Sequence, residues 1–298
     1  MKQHTIPKCY LESFTDPNCP DGHQPYLWMI DREKNLPRKK SPKNVLVKTD
    51  FYTIELPHGE KDYSIESSLS QLESEFMVIL RNKIIKYLPV SEEEMVKLSL
   101  FFSALFNRTI SQKDHWEKIY EHLAKVVGQI EKAHKIKPKE SINIKESIPG
   151  SHKERMVENL VLVAKIILLK NPFFLISDSK VSFITSDNPY IYLDPQFDDN
   201  SFYQPVPTSR STNLLIPLTP KIAFYGLGIC DHQNQYMKAK EGWVKGCNHS
   251  IANHSYKYIF SSKKEPDFLN KKDLKLINSE HKQLFGPIGG KSNRGEQG

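Results

Sequence analysis

The chain has 298 residues, of which 38% are hydrophobic, 26% charged and 10% aromatic, and its formal net charge is +7. This is the composition of a globular protein able to bury a core, as one large domain or two small ones. Asp16, Pro17, Pro20 and Asp21 interrupt the start where a secretion signal would need an apolar core, and the longest apolar run, 160–176, is broken by Lys165, Lys170, Asn171 and Pro172 and is shorter than the roughly 20 residues of a bilayer span.

Cys9, Cys19, Cys230 and Cys247 fit neither a zinc spacing nor a disulfide framework, so a reducing cytoplasm without structural metal is expected. Between Arg32 and Lys48 seven basic residues face one acid. Such a run either attracts phosphates or serves as a solvated loop that keeps the protein soluble.

In chain order, the first 57 residues hold seven prolines and short runs at 26–30, 44–48 and 50–54 that read as strands between turns. From Tyr63 to Leu88 apolar residues at 65, 69, 72, 76, 79, 80, 84 and 87 give the spacing of a helix with one buried face, with Ser64 as its N-cap. Pro89 stops it. Ser91, followed by Glu92, Glu93 and Glu94, starts a second helix that turns Met95, Leu98, Phe101, Phe102, Leu105 and Phe106 inward. A third, over 114–134, is expected to bury Ile119, Leu123, Val126, Val127 and Ile130. Residues 135–150, polar and basic with two prolines and a glycine, read as a loop or internal linker. A fourth helix over 152–170 carries Met156, Leu160, Val163, Ala164 and Ile167 on one side.

Beyond Pro172 the pattern turns to short β-branched and aromatic runs, with a hairpin turn expected at 178–180. A helix over 243–257, a strand at 256–262, a last helix over 270–284 and a disordered tail from 287 complete the reading. Strands, then helices, then strands predict an α+β fold, a layer of about four helices on a mostly antiparallel sheet in one domain over 1–290.

Four places put polar groups where packing alone would not. His4 stands beside an apolar anchoring segment, where it is either a structural residue or a group titrating near neutrality. Glu66 and Glu73, seven apart, lie nearly above one another on a helix and flank its apolar stripe, a place that can hold a metal or an arginine. Arg108 continues the buried row Phe101, Leu105, so its charge needs a partner: Glu66, Glu73 or Asp187, or a ligand phosphate. Ser186, Asp187, Asn188 and Pro189 follow an apolar strand; they have the composition of a turn, yet a carboxylate at a strand end is also a common site group. Beside Arg108, Glu73 and His4, Asp187 reads as the partner that the arginine requires.

Taken in order, HTIPKCYLESF, DFYTI with IESSLSQLE, FNRT, FITSDNP, LLIPLTP and CNHSIANHSYKYIFSS resemble the uncharacterised family named domain of unknown function 4238, over about residues 4–262. The resemblance places the family's polar signature on His4, Glu66, Glu73, Arg108, Ser186, Asp187, Asn188, Pro189 and Asn248, and its region of variable length on 111–155. It implies no established activity, but it does imply that these residues converge.

A phosphodiester-directed hydrolase, a ribonuclease-like effector of defence or toxin type, follows as the first expectation. His4 would be the base, Glu73 a second catalytic group, Arg108 a phosphate clamp and Asp187 the group orienting His4 or a divalent metal; Glu66, Ser186, Asn188 and Asn248 would bind substrate, RNA or DNA, along the track of Arg38, Lys39 and Lys40. The alternative is a protein that binds a nucleotide or small anion without catalysis, and a third possibility is a purely structural polar network. No P-loop, G-x-S-x-G, H-E-x-x-H or dinucleotide fingerprint occurs.

Overall fold

The computed structural model of the chain describes residues 1–266 apart from 33, 35, 194–208, 210–211 and 229–234. The helix expected at 270–284, the tail from 287 and Cys230 lie outside the described residues.

Strand β1 (Lys2–His4) leads into the short helix α1 (Lys8–Glu12), β2 (Leu27–Asp31) and β3 (Pro37–Lys40), and a 3₁₀ turn at Pro42–Asn44 precedes β4 (Val47–Thr49), β5 (Ile54–Glu55) and β6 (Lys61–Asp62). β1 pairs antiparallel with β4, and β5 with β6. The strands expected at 44–48 and 50–54 are much shorter than the apolar runs suggest. Leu46 and Asp50 take left-handed backbone angles, φ 54° and 52°, and cut β4 off on both sides.

Helix α2 (Ser64–Asn82) is capped from outside rather than by Ser64. The Asp62 carboxylate accepts from the Ser64 N–H at 2.7 Å and from its hydroxyl at 3.0 Å. The helix ends at Asn82, six residues before the expected end, because a 3₁₀ turn over Ile84–Lys86 and left-handed Tyr87 (φ 56°) already bend the chain before Pro89.

Helix α3 (Glu92–Asn107) begins as expected, in a full capping box: the Ser91 hydroxyl accepts from the Glu94 N–H at 3.2 Å and the Glu94 carboxylate accepts from the Ser91 N–H at 2.8 Å. Ser91→Ala should therefore cost about 1 kcal/mol in urea denaturation, while Ser64→Ala should cost less.

Two expectations fail in α4 (Ile110–Ala133) and α5 (Glu140–Leu168). Residues 140–150 are helical, not a linker. The Glu131 carboxylate accepts from the N–H groups of Lys139 and Glu140 at 2.9 Å and from the Ser141 hydroxyl, and so starts α5 early. Pro149 lies inside the helix. Most of the stripe of α4 expected in the core instead faces out: Ile119, Leu123 and Ile130 are exposed, and Val126 and Val127 are only half-buried. α4 packs chiefly against α5, through Ala124, Gly128, Ser141 and the Tyr120–Arg155 pair, so the two helices form an arm whose seam is small and polar. On α5 the expected face is correct, with Met156, Val163, Ala164 and Ile167 buried.

The second half adds β7 (Asn171–Ser177), β8 (Thr185–Ser186), β9 (Ile191–Leu193), β10 (Asn213–Thr219), β11 (Ile222–Leu227), β12 (Tyr236–Ala239), α6 (Glu241–His254) and β13 (Tyr258–Ser261). One sheet runs β12-β7-β11-β10-β9, antiparallel except for β12 on β7; the other, β3-β2-β13-β8, is antiparallel throughout. Residues 178–180 make no hairpin, since β7 and β8 belong to different sheets. The Ser177 hydroxyl bonds the Val181 carbonyl at 2.6 Å and turns the chain away. The tight hairpin is β10–β11, where Thr219 Oγ1 accepts from the N–H groups of Lys221 and Ile222.

Alternation divides the five-stranded sheet between two cores. Phe174, Leu214, Ile216 and Phe224 face α2, α3 and α5, with Phe102 tilted on Phe224 at 4.7 Å; Phe173, Leu175, Leu215 and Tyr225 face α6 and the residues Ile30 and Ile259 of the second sheet. The architecture is thus α+β. Tyr10, fully buried, donates to the Pro217 carbonyl at 2.6 Å and meets Thr185 Oγ1 at 2.7 Å, tying the amino-terminal segment to both sheets.

Candidate functional site

Arg108 forms the C-cap of α3, at the end of the row Phe101, Leu105, and its side chain is only 2% exposed. Its Nη1 donates to Glu73 Oε1 at 2.6 Å, its Nη2 to the His4 carbonyl at 2.6 Å and its Nε to the Tyr52 hydroxyl at 3.3 Å. Tyr52 in turn donates to the Arg108 carbonyl at 3.0 Å, and its ring lies 5.4 Å below the guanidinium. The arginine therefore joins three parts of the chain: β1, the segment before β5, and α2. Its partner is Glu73, not Asp187.

Glu73 stays 23% exposed. Its Oε2 accepts from the Cys9 thiol at 3.7 Å, and both residues line an open cleft of about 620 Å³ along α2, with Ser70, Ser74, Met77 and Arg81. Two turns earlier on the same helix, Glu66 is half-buried and its Oε2 is enclosed without a hydrogen-bond partner. The His4 imidazole, also half-buried, donates from Nε2 to the Lys43 carbonyl at 3.3 Å, which leaves Nδ1 as the nitrogen that can accept a proton.

The electrostatics separate these groups. Burial, aided by Arg108, holds the His4 imidazole below its ordinary pKa against the pull of the Lys43 and Pro42 carbonyls and of Glu73. Burial, with Glu73 adding repulsion, pushes the Glu66 carboxyl above its usual range although Arg108 opposes it. Burial works to lower the Arg108 pKa, but Tyr52 and Glu73 raise it further, so the guanidinium stays charged. Burial and then Glu73 push the Cys9 thiol up to about 12, which makes it a hydrogen-bond donor rather than a nucleophile. Among the described residues no three His, Cys, Asp or Glu side chains group as metal ligands. The two carboxylates that could contribute to a cation here are Glu66 and Glu73.

The expected convergence is half met. His4, Glu66, Glu73 and Arg108 come together, whereas Ser186, Asp187, Asn188 and Asn248 form a second group around β8. Asp187, 6% exposed, accepts from the N–H groups of Tyr256 and Lys257 at 2.8 Å and of Tyr258 at 2.9 Å. It thus orients β13 instead of His4 or a metal. Asn248 accepts from the Ile184 N–H and donates to the Ser182 carbonyl, which ties α6 to the segment leading into β8. The Ser186 hydroxyl donates to the Asn188 carbonyl and accepts from its N–H, and Asn188 Nδ2 donates to the His254 carbonyl; the Asn188 Oδ1 is buried without a partner. These are the contacts of a tightly pinned turn. Arg38, Lys39 and Lys40 stand exposed on β3, the edge of the four-stranded sheet, where lysines also keep other strands from pairing.

Sequence reasoning missed Tyr52 and Cys9. Tyr52 lies in the aromatic run 50–54, and a buried tyrosine hydroxyl needs a polar partner; that was the available signal. Cys9 lies five residues after His4 and gave none.

An α+β protein with a buried arginine clamped between an amino-terminal strand and an acidic helix is the class that fold and site define. The sequence profile described as Protein of unknown function (DUF4238) matches residues 2–265, and the chain belongs to that family. No curated protein and no solved structure matches it. No described helix is long and apolar enough to cross a membrane.

Proposed function

We propose that the protein is a phosphodiester-directed hydrolase of ribonuclease type, acting on RNA in the cytoplasm. The observation that carries this reading is the meeting of His4, Glu66, Glu73 and Arg108, of which Glu73 lines an open cleft. An imidazole pushed down and a carboxyl pushed up in one electrostatic neighbourhood form a base and an acid. His4 Nδ1 takes the proton of a ribose 2′-hydroxyl as it attacks phosphorus. The bond from phosphorus to the 5′-oxygen breaks, and Glu66 supplies the proton to that leaving oxygen, giving a cyclic phosphate and a free 5′-hydroxyl.

Arg108 is too buried to clamp a phosphate; it positions Glu73 and the His4 backbone. With His4 required neutral and Glu66 required protonated, the rate should trace a bell, falling as His4 takes up a proton on the acid side and as Glu66 ionises on the alkaline side.

The test is cleavage of labelled RNA and DNA in Mg²⁺, Mn²⁺ and EDTA. RNA is expected to be cut, and His4→Ala to abolish cutting with little change in melting temperature, because the imidazole is half-buried and its hydrogen bond to the Lys43 carbonyl is long, at 3.3 Å. Intact RNA under all three conditions sinks the reading.

A second reading rests on the burial of Arg108: the cluster is an internal latch fixing the amino-terminal strand to α2 and α3. Under it, His4→Ala has no activity to lose.

A further inference from the structure

A second cleft lies near His4, whose imidazole bonds the carbonyl of one of its lining residues, Lys43. Between α1 and the Pro42–Asn44 turn lies a cleft of about 360 Å³ lined by Lys8, Glu12, Thr15, Gln24, Ser41 and Lys43, among others. α1 separates it from the cleft at Glu73: Cys9 faces that side, Lys8 and Glu12 face this one, and Tyr10 and Leu11 anchor the helix in the core. The lining offers two ammonium groups, two hydroxyls and an amide against one carboxylate, and that carboxylate, Glu12, is already paired with Lys8 at 3.1 Å. The cleft adjoins His4 through the Lys43 carbonyl.

Next along the chain on both sides of this cleft lie aromatic and basic residues. Tyr26 follows the lining pair Gln24–Pro25, and Arg38, Lys39 and Lys40 precede Ser41. The Tyr26 and Trp28 rings meet edge to face at 5.8 Å, and the Lys39 ammonium lies 4.5 Å from the first ring and 5.4 Å from the second. Trp28 is locked by its Nε1–H donating to Asp16 at 2.8 Å, so the platform is rigid while the exposed lysine above it is held weakly. A rigid aromatic pair beside an ammonium-lined groove matches the two parts of a nucleotide unit, an unstacked base and its phosphate.

We propose that this cleft and the Tyr26–Trp28 pair form a subsite for a single-stranded polynucleotide, with a phosphate at Lys8 and Lys43 and the adjoining base on the rings in place of Lys39. The proposal takes its ligand class from the hydrolase reading above and gives the strand a path past His4. A duplex keeps its bases stacked inside and cannot use the rings, so the site should discriminate by strandedness.

The test is fluorescence anisotropy of the whole wild-type protein with a labelled oligothymidylate, which lacks the 2′-hydroxyl and survives the proposed reaction, and with the same strand in a duplex. The single strand is expected to bind at least about tenfold tighter than the duplex. Lys8→Ala with Lys43→Ala should weaken binding and lower the salt slope by about one to two. Tyr26→Ala should weaken it roughly five- to hundredfold. Lys8 and Lys43 are exposed and Tyr26 is half-buried, and unchanged melting temperatures would confirm intact folds. Absence of binding at low salt, equal affinity for the duplex, or affinity and slope untouched in these variants overturns the proposal. RNA cleavage with such an outcome leaves the hydrolase reading standing alone, and strand binding without RNA cleavage leaves the subsite standing alone.

Discussion

Glu73→Gln is expected to destabilise the protein by about 3–5 kcal/mol, although Glu73 is itself partly exposed. The reason lies in its partner. Arg108 is 2% exposed and keeps its charge, held by Tyr52 and Glu73, so removing the carboxylate leaves a buried cation with a neutral amide. Arg108→Met in the Glu73→Gln background removes the orphaned charge and should recover part of the loss, so the double variant should be more stable than the sum of the two single effects predicts. Urea denaturation of the four proteins measures this. Additive effects would mean that Glu73 and Arg108 are not energetically coupled.

Asp187 gives the second large effect, for a different reason. Asp187→Ala leaves three backbone N–H groups at the start of β13 without their acceptor, and at roughly 1–3 kcal/mol for each orphan the loss should lie at the lower end, about 3 kcal/mol, because Tyr256 and Lys257 are exposed and water can take the place of the carboxylate. Asp187→Asn is milder. Its oxygen can still serve Lys257 and Tyr258, which share Oδ2, while its amide opposes the Tyr256 N–H.

The pH dependence has a definite sign. Burial outweighs the three donors and raises the carboxyl from 3.8 to about 6, so the stability it contributes is complete below about pH 4 and is lost as pH rises through 6. The advantage of the wild type over Asp187→Asn should therefore shrink between pH 4 and 6. His4 and His152, whose values burial lowers, act in the opposite direction, losing stability as pH falls, but they do so equally in both proteins and cancel in the difference. Melting temperatures of the two proteins across that range decide it. A gap that stays constant would show that Asp187 is ionised throughout.

What was legible in the sequence follows from how local its cause is. The capping box at Ser91 is written within four residues, and the inward row ending in Arg108 within one helix, so both could be read. Which acid would pair with Arg108 depends on where α2 passes α3, a matter of packing between elements that periodicity does not encode; Asp187 was the expected partner, and the fold gives the place to Glu73. The α4 stripe misled for the complementary reason. A helical apolar period states that a face exists but not what covers it, and the nearest neighbour, α5, meets α4 through Ala124 and Gly128 instead. The linker at 135–150 looked irregular because its helix-starting carboxylate, Glu131, lies upstream on another helix.

That helical arm has a geometric consequence. The polar cluster is attached below it: His152 bonds the Asn107 carbonyl at 2.8 Å and the Ser103 hydroxyl bonds the Leu160 carbonyl at 2.7 Å, so α5 is fastened to α3 on the body side of the arm. Beyond that fastening, α4 and α5 run antiparallel with few core residues of their own. Adding or deleting one turn in each helix would move the tip by about 5.4 Å and leave every residue around Arg108 where it is. The protein can thus vary in reach without varying in chemistry, and the region of variable length implied by the family resemblance, 111–155, coincides with this arm.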